Sequence, residues 1–239
     1  MPKKNKTAIV VIAYNTLGLL DHQAKCIEML CKDDYDLIVV NNSDHIKNSE
    51  IIENRAKTLN CIYLKTRAST SADSNSHAFA CNVCYNKLQD DYSIFCFLDH
   101  DNFPLKPFSP KELLNGKTIA GLEQVKGEIK YFWPGCVMWD NNKVDHSLVD
   151  FSVSSEFGLD SGGNFFKIIE KHGKDQCVFF NESYRQNPYF DKSRYNFYAM
   201  INDGMFMHFI NSSNWNNSNE NDERINTLLR ILEENVKFT

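Results

Sequence analysis

Residues 7–14, TAIVVIAY, are an almost unbroken apolar run, and the chain beyond them alternates in a way that points to a fold class. A continuous apolar run suits a strand of a parallel sheet that is covered by helices on both faces. Between residues 16 and 31, Leu19, Leu20, Ile27, Leu30 and Cys31 fall on roughly one helical face. A second strand is expected over DLIVVNNS (36–43), a second helix over 49–59 and a third strand over CIYL (61–64). SADSNSHAFACNVCYNKL (71–88) predicts a helix with Ala78, Cys81, Val83 and Cys84 inward, and YSIFCFL (92–98) a fourth strand. Strands and helices alternating at this spacing give right-handed βαβ units and an open parallel sheet, in which ligands bind at the carboxyl ends of strands.

After residue 107 the rhythm changes. KTIAGLEQV and EIKYFWPGCVMWD predict two further strands joined at Lys126-Gly127, the second rich in aromatics. LDSGGNFFKIIEKHG (159–173) predicts a loop and then a helix over 162–172, and QCVFF a short strand. The pattern over 198–213 is mixed, the Asn-rich stretch 211–222 predicts a loop, and a last helix over 220–235 carries Ile225, Leu228, Leu229, Ile231 and Leu232. With no internal repeat and no linker, the expected organisation is one α/β domain over 1–239. Its halves are about 1–106 and about 107–239.

Composition narrows the class without changing it. The chain has 239 residues, 42% hydrophobic and 24% charged, which describes an ordinary soluble globular protein. A net charge of −5 and the lack of a basic tract argue against a nucleic-acid partner. TAIVVIAY, behind the basic MPKKNK, is too short for a signal peptide or a membrane span. The expectation is therefore a cytoplasmic protein without stable membrane insertion, and composition sets no oligomeric state. The eight cysteines read as buried free thiols, since CNVC (81–84) lacks the second pair that a tetrahedral zinc site needs.

The candidate chemistry lies in IFCFLDHDNFPLK (94–106), where a buried strand runs straight into Asp99-His100-Asp101. Two carboxylates one residue apart on a turn can share a divalent cation, Mg²⁺ or Mn²⁺, that keeps open positions for substrate phosphates. The competing view is two surface aspartates in a polar turn. Position favours the first, because the pair follows the fourth strand of a parallel sheet at its carboxyl end.

Several motifs in order resemble the nucleotide-sugar-dependent glycosyltransferases of GT-A (Rossmann-like) fold, particularly the inverting enzymes related to family 2. VVIAYNT resembles their first strand with its Tyr-Asn turn, and IVVNNSD the second strand with its acidic nucleoside contact. FLDHD resembles the DxD motif, FWPGCVMWD the acceptor-facing strand, and MFMHF the segment that supplies a histidine to the metal.

The resemblance implies a single GT-A domain with a mostly parallel central sheet flanked by helices. It implies transfer of a sugar from a nucleoside-diphosphate sugar, UDP being the expected base, to a glycan hydroxyl. Ala13, Tyr14 and Asn15 would line the nucleobase pocket and Asp44 would contact uracil or ribose. Asp101 and His208 would ligate Mn²⁺ or Mg²⁺, and Asp99 would contact the ribose, or the metal through water. Arg67, Asn75 and His77 fall where donor-binding groups precede the third helix. His100 is expected to pack inward, opposite to its neighbours. Trp133, Pro134 and Gly135 would wall the acceptor site, and Trp139 belongs to the core.

Inverting transfer also needs a carboxylate base. Asp160 in LDSGG is favoured, against the view that it caps the helix at 162–172, with Glu156 in reserve and Asp140, Asp145 and Asp150 slightly earlier in the chain. The chain departs from the common pattern in lacking a Glu-Asp pair in 130–170. Two other functions compete. A nucleotidyltransferase would need a glycine-rich basic loop after the first strand, where AYNTLGLLDH has one glycine and no Lys or Arg. A catalytically inactive nucleotide-sugar or glycan-binding module would keep the donor site but not the base. No G-x-S-x-G elbow supports a hydrolase.

Overall fold

The computed structural model describes residues 4–15, 18–66, 74–186, 197–209 and 221–236. The first half alternates as expected: β1 (Lys4–Ala13), α1 (Leu19–Leu30), β2 (Tyr35–Asn41), α2 (Ile46–Thr58), β3 (Ile62–Lys65), α3 (Ser74–Leu88) and β4 (Tyr92–Asp99). Then come β5 (Asn102–Pro104), α4 (Pro110–Leu114), β6 (Ile119–Lys126), β7 (Ile129–Asp140), α5 (Phe166–His172) and β8 (Cys177–Phe180). β9 (Glu182–Gln186), β10 (Phe197–Ile201), β11 (Phe206–His208) and α6 (Asn221–Asn235) complete the described elements.

Seven strands form the central sheet in the order β3-β2-β1-β4-β7-β6-β8. β1 lies parallel between β2 and β4, with Val10 beside both Ile38 and Phe97. Successive side chains of a strand point to opposite faces, and β1 divides accordingly. Ala8, Val10 and Ile12 pack under α3 with Ala78, Cys81 and Tyr85, while Ile9, Val11 and Ala13 pack against Leu20 and Ile27 of α1 and Ile52 of α2. This two-sided burial is why the run reads as continuously apolar. The sheet is mixed, however: β7 runs antiparallel to both β4 and β6. An apolar strand does not declare its direction, and the two-residue turn Gly127-Glu128, one residue later than expected and with Gly127 at φ 62°, makes β6 and β7 a hairpin.

A second, four-stranded antiparallel sheet, β5-β11-β10-β9, has no counterpart in the sequence pattern. The mixed stretch from 198 is its β10–β11 hairpin. A third apolar cluster forms where this sheet meets α1 and α6, joining Leu19 and Cys26 to Phe103, Met207, Leu228 and Leu232. The helix expected over 162–172 begins as a 3-10 turn at Gly163–Phe165 and becomes α-helical only at Phe166. All eight cysteines are free thiols. Among the described residues no helix is long and apolar enough to cross a membrane.

Trp139 is the centre of the aromatic core, as expected. It stacks on Phe95 at 5.5 Å and Phe97 at 5.4 Å, and meets Tyr85 edge-on at 5.4 Å. Its deletion leaves a cavity that three rigid rings cannot fill. Trp139→Ala should therefore cost about 3–5 kcal/mol. Urea titration checks this: the midpoint should fall with an unchanged slope.

Candidate active site

The site begins where β1 and β2 end. Ala13 is buried in the apolar layer at 1% exposure, so the end of β1 offers the half-buried Tyr14 and the buried polar Asn15 rather than Ala13. Asn15 takes a left-handed backbone, φ 50°, which asparagine tolerates better than most side chains. Its backbone N–H donates to Ser43 Oγ at 2.9 Å and its Nδ2 to Asp44 Oδ1 at 2.7 Å, while Tyr14 donates its hydroxyl to Asp44 Oδ2 at 3.1 Å. These donors, Asn15 first, hold the Asp44 carboxyl below its usual range. Burial and the facing carboxylate push the Tyr14 phenol up to about 12. Below them, buried Asn42 donates to Ser76 Oγ at 2.9 Å and accepts from Thr66 Oγ1 at 2.9 Å, tying the end of β2 to α3.

The acid turn leaves β4 beside this pocket. Asp99 Oδ1 accepts from His77 Nε2 at 2.8 Å, so His77, expected to bind donor, is engaged by the first acid of the motif. Cys81, one helical turn on, rests its sulfur 3.9 Å from each ring nitrogen of His77. His100 is buried, as expected, and donates from Nδ1 to Ile12 O at 3.0 Å. Asp101 is only 6% exposed.

β11 pairs with β5 so that His208 lies opposite Asn102, and Phe209 N donates to Asp101 O at 2.8 Å. His208 Nε2 consequently stands 3.6 Å from Asp101 Oδ1, too far for a hydrogen bond and near enough for both to face one ion. Burial opposes protonation of His208, but the Asp101 carboxylate outweighs it and raises the imidazole above its ordinary range. Among the described residues, no three His, Cys, Asp or Glu side chains group around a common point. A cation on Asp101 and His208 would therefore need the rest of its shell from a ligand.

Residues 131–135 of β7 run past the acid turn, His208 and the Asp160 loop. The Trp133 ring lies 4.5 Å from the His208 ring. At Gly135 an added Cβ would fall 2.6 Å from Asp99 Oδ2 and 2.2 Å from the Trp133 ring, so only glycine lets the strand pass. Pro134 touches Gly162, which holds φ 76° and would meet Pro134 and the Phe132 carbonyl with any side chain. That contact carries the Asp160 loop onto β7.

Asp160 lines an open cavity of about 480 Å³ together with Ser74, Lys126, Tyr131, Val153, Gly158 and Leu159. Its carboxylate accepts from Ser161 N at 2.8 Å, and its charge, after burial, contributes to raising the Tyr131 phenol. The capping reading fails, because the position before α5 is Phe165 and no side chain caps that helix. Lys126 donates Nζ to the Gly158 carbonyl, closing the loop before Asp160.

The structure thus brings Tyr14, Asn15 and Asp44 together, and His77, Asp99, Asp101, His208, Trp133 and Gly135 together. It leaves others apart. Glu156 is exposed at the tip of the 154–159 turn and does not line the cavity. Asn75 is exposed on the first turn of α3, and Arg67 lies outside the described residues. Asp150 is tied up by Asn82, Asn164 and Ser152, Asp145 caps a 3-10 turn through Ser147, and Asp140 pairs with Lys143. These three are structural. Gln23 is a site residue that the sequence pattern did not single out: it sits at 0% exposure on α1 and donates Nε2 to the carbonyls of Asp99 at 2.6 Å and Asn102 at 2.7 Å. A polar residue on an otherwise apolar helix face was its only signal.

No protein-family model matches the chain, and no curated protein matches it in sequence. Solved structures do match. A mannosyltransferase from Pyrobaculum calidifontis, in complex with GDP-mannose and Mn²⁺, superposes with TM-score 0.53 at 12% identity, covering 75% of this chain and 56% of that one. Glucosyl-3-phosphoglycerate synthase from Mycobacterium tuberculosis, with Mn²⁺, UDP and glucosyl-3-phosphoglycerate, gives TM-score 0.48 at 12% identity over 74% and 69%. The chain spans little more than half the length of the mannosyltransferase. The fold is GT-A.

Gly135→Ala should displace Trp133 or Asp99 and break the His77–Asp99 hydrogen bond. A histidine-selective NMR spectrum should show the His77 resonances moved, with the amide pattern of the β1–β2 core unchanged.

Proposed function

We propose that this protein is a divalent-metal-dependent glycosyltransferase that moves a sugar from a nucleoside-diphosphate sugar to a glycan hydroxyl, with inversion. The observation that carries this reading is the pairing of buried Asp101 with half-buried His208, set beside the Tyr14–Asn15–Asp44 cluster at the carboxyl edge of a GT-A sheet. Tyr14, Asn15 and Asp44 would receive the nucleoside, with UDP the first expectation. Asp101 and His208 would hold the ion, and one carboxylate with one imidazole suits Mn²⁺ better than Mg²⁺, which prefers oxygen ligands. When bound, the ion supplies positive charge to the diphosphate as it leaves.

The remaining roles fall to the chain itself. Asp99, oriented by His77, would face the ribose or the donor sugar, and Gly135 lets β7 pass close enough to wall that space with Trp133. An acceptor in the cavity beside Tyr131 would present its hydroxyl to Asp160. The Asp160 carboxylate would take the hydroxyl proton as the oxygen attacks the anomeric carbon and the bond to the diphosphate breaks. The Pro134–Gly162 contact and the loop that Lys126 closes would hold Asp160 in place beside β7.

Thermal denaturation with UDP, GDP, dTDP or CMP, each with Mn²⁺ or with EDTA, tests the reading. One nucleotide at about 100 times its Kd should add about 2.7 kcal/mol of stability with Mn²⁺ and little with EDTA. Asp101→Ala should lose that shift. Stabilisation by no nucleotide, with or without Mn²⁺, would overturn the donor site. Separately, Asp160→Asn should keep the shift while turnover drops about 10²–10⁴-fold. Undiminished transfer by Asp160→Asn would remove Asp160 from the chemistry, and a protein that binds donor but transfers to no glycan would be a binding module.

A further inference from the structure

We propose that Gln23 is a positioning residue for the acid turn, fixing the backbone from which Asp101 meets its metal. The proposal rests on the metal-site reading and adds a residue that touches neither metal nor substrate.

A glutamine at 0% exposure on the inner face of α1 displaces an apolar side chain from a core that is otherwise well filled. Burying an amide is unfavourable unless its hydrogen bonds are made. Gln23 meets that requirement on one side only. Both protons of Nε2 are used, on Asp99 O at 2.6 Å and Asn102 O at 2.7 Å, while Oε1 is buried with no partner among the described residues. Because both neighbours are carbonyls, the nitrogen must face the turn, and the orientation of the amide is determined. A residue selected only for packing would be leucine or methionine here, without an orphaned oxygen.

What Gln23 holds is specific. Its two bonds clamp the first and last residues of Asp99-His100-Asp101-Asn102. The turn is pinned from three other directions: His100 to Ile12 O, Phe209 N to Asp101 O, and Asn102 Nδ2 to Gly135 O at 2.8 Å. Those three attachments come from β1, from the residue after β11 and from β7, all tied to the two sheets. The fourth comes from the middle of α1, so Gln23 couples that helix to the spacing between Asp99 and Asn102. With the clamp open, the turn can widen and Asp101 can drift from the 3.6 Å separation that lets it share an ion with His208. Groups that orient a ligand without touching the metal typically change metal affinity about 10–100-fold.

The test measures Mn²⁺ directly. Free Mn²⁺ gives an electron paramagnetic resonance signal that bound ion loses, so titrating the 239-residue protein with UDP present, and with GDP in parallel, yields a Kd without any turnover. Gln23→Met keeps length and removes both donors. Gln23→Glu keeps shape and sets a carboxylate oxygen against the two carbonyls. Both should raise the Mn²⁺ Kd about 10–100-fold. Ile52→Val, in the core under α2, is the control for general loss of stability and should leave the Kd at its wild-type value.

Equal Mn²⁺ affinity in wild type and both Gln23 variants, measured below their melting temperatures, would overturn the positioning role and leave the metal site intact. A parallel weakening in Ile52→Val would overturn it too, because the effect would then be general. Wild-type protein that binds no Mn²⁺ with either nucleotide would overturn the metal reading itself, and the role of Gln23 with it. If a Gln23 variant fails to fold, Gln23→Asn, which retains the amide on a shorter arm, replaces it with the same expected outcome.

Discussion

The antiparallel pairing of β5 with β11 is the constraint on which this structure turns. Three residues on each side, Asn102–Pro104 and Phe206–His208, suffice to carry the end of the chain back to the turn that leaves β4. Without that pairing, Asp101 would be a carboxylate at a sheet edge and His208 a histidine on an unattached hairpin. With it, Asp101 is buried and His208 half-buried beside it, in an environment that partly desolvates each and strengthens their mutual field. The pairing is itself held by apolar contacts, Phe103 and Met207 with Leu19 of α1 and Leu228 and Leu232 of α6. The last helix therefore supports the site without entering it.

The second organising element is β7. Lying antiparallel between β4 and β6, it sends its early residues past the carboxyl end of β4. A strand in that orientation can offer successive residues to different parts of one site, and residues 131–135 do so. Trp133 lies on His208, Pro134 on the Asp160 loop and Gly135 against Asp99. Tyr131 opens onto the cavity that Asp160 lines. Later in the same strand, Trp139 reverts to core packing among Phe95, Phe97 and Tyr85. Alternation and a change of surroundings thus make one strand both wall and core.

Much of the first half was legible in the sequence because its signals are strong. A strand buried on both faces leaves an unbroken apolar run, and a helix over a sheet leaves a face, so β1 to β4 and α1 to α3 stand within a few residues of expectation. The direction of β7 was not legible, since hydrophobicity carries no polarity. Nor was the small sheet, whose strands of three to five residues are too short for a period to show. Among site residues, the Asp99–Asp101 pair announces itself by where it falls, but the distance from Asp101 to His208 depends on a pairing that no local pattern encodes. His77 shows the same limit: its helix was expected, its bond to Asp99 was not. Gln23 and the buried Asn42 network are polar side chains in apolar surroundings, and only the fold shows what each of them satisfies.

The β5–β11 pairing also sets an order of events in time. Its partners lie about a hundred residues apart, and contacts that distant must close a long loop before they return any stability. The βαβ units between β1 and β4 need only neighbours in the chain and can condense early, while synthesis is still under way. The acid turn then exists before the histidine that completes its pair has left the ribosome. For that interval the nascent protein carries a nearly finished βαβ half whose Phe103 and Leu19 lack their covering from β11 and α6. Closure of the Asp101–His208 pair is thereby tied to the arrival of β11 and α6, and a chain cut short before them would display an apolar surface in place of that pair.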